Sequence, residues 1–236
     1  MEFPSTPGAF NEPRIARFDA PAVEVERDED GVVLLRSLQP LGEHPASVVW
    51  WLRHWAKLQP DEAVLAQRDE HGDWRRLSWG RAIEGLGSLA AAFRVAGGAP
   101  DKPLVILSEN SIEQALVTWA AHWAGIPVAP VSPAYSLATG GLERLRAVLG
   151  LVRPWLVFAQ DGVRFERALV ASDVPKERWV CVTNVPAGGV DFGELLATPP
   201  SVAVDEQFDV TDRDAVAKYM FTSGSKSCSR RLPRER

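Results

Sequence analysis

A short run of small, hydroxyl-bearing residues near the end of the chain has the composition of a phosphate-binding loop. Thr222, Ser223, Gly224 and Ser225 follow residues 218–221, whose apolar character predicts a buried strand. Glycine allows close approach of the backbone, and hydroxyl and backbone N–H groups can surround phosphate oxygens. In α/β proteins such ligands bind beyond the carboxyl ends of strands. We therefore take these four residues as candidate cofactor-binding residues.

By itself the tetrapeptide does not establish phosphate binding, because small polar clusters are most often plain turns. The sequence lacks the Gly-x-x-x-x-Gly-Lys pattern of a Walker A loop and the Gly-x-Ser-x-Gly pattern of a nucleophile elbow. It also has no Gly-x-Gly-x-x-Gly after a predicted strand, so a nicotinamide site is unsupported. We assign no catalytic residue and no metal ligand from the sequence.

Helix and strand patterns alternate from residue 47 onward, which predicts an α/β fold with a mostly parallel sheet and helices on both faces. Apolar spacing and capping signals predict helices over residues 47–58, 78–96, 110–123, 141–151, 165–171 and 192–197. Short apolar runs predict strands over residues 63–67, 74–77, 103–108, 126–131, 155–159 and 179–183. Residues 1–46 are rich in proline and charge and predict an extended arm with one hairpin around Gly31.

The bulk composition excludes several classes of protein. The 236 residues are 46% hydrophobic and 24% charged, with a net charge of −5, so neither nucleic acid nor an anionic membrane surface is an expected partner. Two cysteines make no disulfide framework, and we expect a reducing, cytoplasmic location. The N-terminus lacks the pattern of a signal peptide, and prolines interrupt the most apolar stretch, residues 115–134, so no membrane span is predicted.

Several conspicuous side chains have structural explanations. The helix spacing of Trp51 and Trp55 favours core or interface packing over ligand stacking. Cys181 lies in an apolar strand and is expected to be a small buried residue. Asn110 and Glu113 have the spacing of a capping box. Tyr135 follows a predicted strand end, where both a place near a substrate cleft and a packing role remain open.

Four segments together resemble the adenylate-forming enzymes, a superfamily of acyl-CoA synthetases, luciferases and peptide-synthetase adenylation domains. Residues 218–225 look like the start of the family's phosphate-loop signature, and residues 104–113 resemble its segment from strand to helix. Residues 125–137 and 151–158 are similar to the feruloyl-CoA synthase branch. The resemblance covers residues 20–225.

This resemblance implies an AMP-forming acid–CoA ligase that activates an aromatic carboxylic acid such as ferulate. Its cofactors would be ATP and Mg²⁺, with CoA as the acceptor, and Thr222, Ser223, Gly224 and Ser225 would hold the β- and γ-phosphates. The implied domain limits are an arm over residues 1–46 and a partial AMP-binding large domain over residues 47–225.

The resemblance stops after Ser225, where the family continues with Thr, Gly, a variable residue, Pro and Lys. Residues 226–230 are Lys-Ser-Cys-Ser-Arg, and we expect residues 226–236 to be a disordered basic tail from a shifted reading frame or an erroneous gene end. Because family enzymes are much longer, we expect an incomplete, inactive and poorly soluble fragment with an exposed apolar face. A fragment that binds nothing and a residual nucleotide-binding module remain alternatives.

Overall fold

The computed structural model describes residues 20, 22–40 and 42–221. The chain divides into two compact units, Met1–His44 and Pro45–Arg236. The candidate loop residues 222–225 and the predicted tail 226–236 lie outside the described residues.

The described part of the first unit is an antiparallel hairpin, as the sequence predicts. Strand β1 (Val23–Arg27) pairs with β2 (Val33–Ser37). The turn between them uses the positive φ of Gly31, which favours glycine, and the Asp28 carboxylate accepts backbone N–H groups from Asp30 and Val32.

The second unit contains alternating helices and strands. Its described helices are α1 (Val48–Leu58), α2 (Trp79–Val95), α3 (Ile112–Trp123), α4 (Pro133–Ser136), α5 (Glu143–Val152), α6 (Glu166–Ala171), α7 (Phe192–Leu196) and α8 (Val202–Asp209), with a 3-10 turn at Lys176–Arg178. Its described strands are β3 (Ala63–Arg68), β4 (Trp74–Ser78), β5 (Leu104–Leu107), β6 (Val128–Pro130), β7 (Leu156–Asp161), β8 (Trp179–Thr183) and β9 (Val190–Asp191). The short elements α4 and β9, and helix α8, were not predicted from the sequence pattern.

A parallel sheet of five strands in the order β6-β5-β7-β8-β9 forms the centre of this unit, and β3 and β4 form a separate antiparallel pair. Alternate residues of β5 enter opposite cores: Leu104 and Ile106 pack on one side, Val105 and Leu107 on the other. Helices α1, α2, α3, α7 and α8 contribute to the first core, while α5 and α6 contribute to the second. The predicted α/β class, with helices on both faces of a parallel sheet, is therefore confirmed.

The structure corrects the predicted start of α3. Ser111, rather than Asn110, is the N-cap, and its hydroxyl oxygen accepts the backbone N–H of Gln114 at 3.0 Å. Glu113 does not complete a capping box, because its carboxylate accepts a hydrogen bond from Arg75 instead. Ser47 and Ser78, the first residues of the predicted helices over 47–58 and 78–96, are the N-caps of α1 and α2.

Of the two roles predicted for Trp51 and Trp55, packing in the core is wrong. Val49 and Leu52 are the buried residues, whereas Trp51 and Trp55 are 47% and 38% exposed. Helices α2 and α3 contact α1 from the side that carries Val49 and Leu52, and the tryptophans lie outside that stripe. Trp50 is also exposed, and its ring stacks on His54 with centroids 5.2 Å apart.

Gly98, in the turn after α2, packs closely against Phe93 and Ile126, and a substitution there tests this contact. A Cβ on Gly98 would lie 2.8 Å from the backbone oxygen of Phe93 and would also collide with the Ile126 side chain. We expect Gly98→Ala to lower the free energy of unfolding by about 1–3 kcal/mol, because the Phe93 backbone cannot move cheaply. Urea denaturation measures the change.

The matched control is Gly150→Ala in α5, where an added Cβ meets no atom within 4 Å. This variant should be neutral or more stable by about 0.5–1 kcal/mol, since alanine favours a helix over glycine. Equal stabilities of the two variants would contradict the predicted packing at Gly98.

Candidate active site

The segment before the candidate loop extends the parallel sheet beside β6. The backbone N–H of Val128 donates to the oxygen of Ala217 at 3.0 Å, and the N–H of Tyr219 donates to the oxygen of Val128 at 2.8 Å. Since both segments run in the same direction, the chain reaches Phe221 at the carboxyl edge of the sheet. Residues 222–225 follow Phe221 in sequence and lie outside the described residues.

The expectation of a buried strand at residues 218–221 is wrong. Tyr219 is 38% exposed and Met220 is 80% exposed. A single bridge to Val128 joins this segment to the sheet, whose next strand lies on the other side of β6. Because the segment lies at the edge of the sheet and pairs with β6 alone, its side chains are less covered than those of a central strand.

A histidine from α3 holds the same segment. His122 Nε2 lies 3.1 Å from the Ala217 oxygen, which also accepts the Val128 N–H. Burial lowers the pKa of His122, and the charge of Lys218 lowers it further, although the bond to Ala217 acts in the opposite direction. The neutral ring therefore donates its Nε2–H to the carbonyl, and His122 positions the strand that leads to the candidate loop.

A cleft opens at the carboxyl end of β6. Its volume is about 360 Å³, and its lining residues are Pro130, Val131, Ser132, Ala134, Tyr135, Arg144 and Phe221. We call it the Arg144 cleft. Tyr135, for which the sequence left a cleft and a packing role open, forms part of its wall, and the guanidinium carbon of Arg144 lies 5.7 Å from the centre of the Tyr135 ring.

A polar network connects the ends of β5 and β7 with the β3–β4 pair. Ser111 Oγ donates to Gln160 Oε1 at 2.7 Å, and Gln160 Nε2 donates to Glu113 at 3.3 Å. Arg75 donates to Glu113 at 2.5 Å, and Gln67 accepts the backbone N–H of Ile112 at 3.0 Å. These contacts join residues far apart in the chain, so the sequence pattern did not reveal them.

Glu113 is the buried centre of this network, with 6% of its surface exposed. Burial raises the pKa of its carboxyl, but the hydrogen bonds and charge of Arg75, together with the Gln160 bond, outweigh burial and leave the pKa below its ordinary value. Glu113 is therefore an ionised carboxylate, and its bonds from Arg75 and Gln160 hold α3 in place.

The carboxyl edge also carries an exposed ion pair. Arg164 donates to both oxygens of Glu109, at 2.7 and 3.0 Å, and this hydrogen bonding lowers the pKa of Glu109. Asp161 accepts the backbone N–H groups of Val163 and Arg164, each at 2.9 Å, and these bonds lower its pKa. Glu109 thus pairs with Arg164 rather than capping α3.

Cys181 is fully buried in β8, as predicted, and burial raises the pKa of its thiol to about 11. The protonated thiol packs as a small apolar side chain.

Among residues 20, 22–40 and 42–221, no group of three or more His, Cys, Asp or Glu side chains could hold a metal ion. In the same part of the chain, no helix is long and apolar enough to cross a membrane.

The chain belongs to the AMP-binding enzyme family, whose model matches residues 52–227. An acyl–CoA ligase from Pestalotiopsis microspora is 26% identical, over 69% of this chain and 30% of the relative. The chain therefore spans about a third of the length of that curated relative.

Two solved structures of proteins bound to adenylates share the fold. The McyG A-PCP protein bound to phenylalanyl-adenylate has a TM-score of 0.60 at 17% identity, covering 79% of this chain and 28% of that chain. The fatty acyl-adenylate ligase from L. pneumophila, bound to acyl adenylate and pyrophosphate, has a TM-score of 0.56 at 13% identity, covering 77% and 29%.

The contact between His122 and Ala217 predicts a pH dependence. Because the folded state lowers the pKa of His122, its contribution to stability is complete above the ordinary value of 6.5 and is lost as the pH falls through the folded value. We expect the wild-type chain to lose more stability than His122→Gln between about pH 7.5 and about pH 5.5. Urea denaturation at both values measures the difference.

The control is His71→Gln on an exposed turn, with 77% of the side chain in solvent. This variant should follow the wild-type pH dependence. If His122→Gln also follows it, the half-buried His122 is not the titrating group.

The Glu113 network predicts a different loss of stability. Glu113→Gln should lower the free energy of unfolding by about 1–2 kcal/mol, because the hydrogen bond from the half-exposed Arg75 to the buried Glu113 side chain loses its charge assistance. Its carboxyl pKa is depressed, so this difference is present above about pH 4.5 and disappears as the pH falls through the folded value. Chemical denaturation at several pH values measures both effects.

Glu109→Gln is the matched control, because its pair with Arg164 is exposed and solvent screens it. Its effect should be the smaller of the two. A larger loss for Glu109→Gln would show that the Glu113 network does not hold α3 as described.

Proposed function

We propose that this chain carries the phosphate loop of an AMP-forming acid–CoA ligase. Membership in the AMP-binding enzyme family and the similarity to an acyl–CoA ligase support the reaction class. The observation that carries the proposal is the parallel pairing of Ala217 and Tyr219 with Val128, which brings Phe221 to the carboxyl edge of the sheet. That edge is where α/β proteins bind their ligands.

Thr222, Ser223, Gly224 and Ser225 are proposed to hold the β- and γ-phosphates of ATP. Their hydroxyl and backbone N–H groups would offset the phosphate charge, and Gly224 would let the backbone approach the oxygens. Mg²⁺, as the proposed cofactor, would supply further neutralisation of the triphosphate. No described residue is assigned as its ligand.

The proposed reaction has two transfers. The substrate carboxylate attacks the α-phosphorus of ATP, the bond to the bridging oxygen breaks, and pyrophosphate leaves. The CoA thiolate then attacks the acyl carbon, and AMP leaves with the electrons of the broken C–O bond. The first step depends on in-line positioning and on stabilising the charge that develops on pyrophosphate.

The proposed acid is aromatic, with ferulate as the example. Support comes from residues 125–137 and 151–158, which are similar to the feruloyl-CoA synthase branch.

We retain residues 1–46 and 47–225 as the proposed arm and partial AMP-binding domain. Because the chain spans 30% of its curated relative, we further propose that these 236 residues alone do not complete the reaction.

Calorimetric titration of the chain with Mg·ATP tests the phosphate-loop proposal. We expect saturable binding by the wild-type chain and at least about a 10-fold loss in the double variant Ser223→Ala, Gly224→Val. The valine side chain would block the backbone approach, and the alanine would remove a hydroxyl. Ser229→Ala, outside the segment that resembles the family, is the matched control.

Equal binding by the wild-type and double-variant chains would contradict the assignment of residues 222–225. Absence of binding by a folded, soluble wild-type chain would favour the alternative of an inert fragment. Ferulate-dependent exchange of pyrophosphate into ATP by the 236-residue chain would contradict the proposed lack of activity.

A further inference from the structure

We propose that the Arg144 cleft binds a diphosphate group, with the Arg144 guanidinium as its main ligand. This inference rests on the proposed function, because it assigns a described side chain to the phosphate end of that reaction's ligands. It concerns the cleft wall, and residues 222–225 are not needed to define it.

The packing of α5 directs Arg144 away from the core. Leu142 and Leu145, on either side of it, are 4% and 0% exposed and belong to the core beneath the sheet. Val148 continues the same buried stripe, one helical turn further on. Arg144 consequently lies on the exposed side of the first turn, where it lines the cleft together with Phe221.

The other wall is built by the turn after β6. The Ser132 hydroxyl accepts the backbone N–H of Ala134 at 3.3 Å, and the Ser136 hydroxyl donates to the Ser132 oxygen at 3.2 Å. These bonds fix the turn that carries Tyr135 into the cleft wall. The cleft is thus formed by ordered backbone on one side and a packed helix on the other.

The positive charge of Arg144 is not neutralised by a carboxylate among the described residues. Its guanidinium carbon lies 5.7 Å from the centre of the Tyr135 ring, a distance at which the ring face attracts a cation. The carboxylate of the neighbouring Glu143 lies against Gly141. Its Oε1 is so close that a Cβ added to Gly141 would be 2.5 Å away. The charge of Arg144 therefore remains available to an anion.

We take a diphosphate rather than a carboxylate as the ligand, because two linked phosphates carry more negative charge and more acceptor oxygens than one carboxylate. A guanidinium offers a planar set of N–H donors that matches phosphate oxygens, and two linked phosphates can use several of them. Val131, Ala134 and Phe221 supply the apolar walls beside the guanidinium. The volume of about 360 Å³ lies within the range of small-molecule sites.

Both ATP and CoA contain a diphosphate, so the test separates the two sources. The full 236-residue chain is titrated with pyrophosphate, Mg·ATP, CoA, AMP and ferulate, before and after Arg144→Ala. We expect the affinity for pyrophosphate to fall by about 10- to 100-fold, because charge-assisted hydrogen bonds are lost, while AMP binding is unchanged. A parallel loss for Mg·ATP identifies ATP as the source, and a parallel loss for CoA identifies CoA.

Arg146→Ala is the matched control, because Arg146 lies on the same helix but lines a different cleft, with Arg153 and Ala171. It should leave pyrophosphate affinity unchanged. Arg144→Lys should give an intermediate affinity, since it keeps the charge and loses the planar donors. Equal urea midpoints of the wild-type and variant chains would show that Arg144→Ala does not act through unfolding.

Unchanged pyrophosphate affinity in Arg144→Ala, with binding by the wild-type chain, would overturn this inference and leave the proposed function intact. Loss of ferulate binding alone would also overturn it, because the cleft would then take a carboxylate. Failure of the wild-type chain to bind any of the five ligands would overturn both this inference and the proposed phosphate loop.

Discussion

The candidate site depends on one edge of the parallel sheet, where β6 accepts a further segment of chain. Two backbone hydrogen bonds on Val128 and a third bond from His122 hold Ala217 and Tyr219 in register. Parallel pairing brings the carboxyl ends of neighbouring segments to the same side. The pairing with β6 brings Phe221 to the Arg144 cleft, and the parallel pairing of β5 with β7 places the polar network at the same side.

Burial of the sheet on both faces makes that edge well defined. Successive residues of β5 and β7 enter opposite cores, so a shift of either strand by one residue would exchange the two sets of side chains. The helices over these cores set the directions of their outer side chains. The same packing therefore orients His122 on α3 and Arg144 on α5, although neither residue belongs to the hydrophobic core.

The polar side chains at the carboxyl edge differ in what remains available to a ligand. Glu113 is committed to Arg75 and Gln160, and Glu109 to Arg164, so these acids stabilise the framework. Arg144 instead contacts an aromatic ring. This division separates the residues that hold the edge together from the side chain that can offer charge to an anion.

The sequence by itself determined the α/β alternation, the Ser47 and Ser78 caps and the buried strand of Cys181, because each of these depends on neighbours a few residues away. Only the tertiary structure decided that Val49 rather than Trp51 is buried in α1, and that Glu113 pairs with Arg75 instead of capping α3. It also brought Arg144 and Phe221, far apart in sequence, to one cleft. Periodicity records which elements form, whereas the partners of a side chain depend on how distant elements pack.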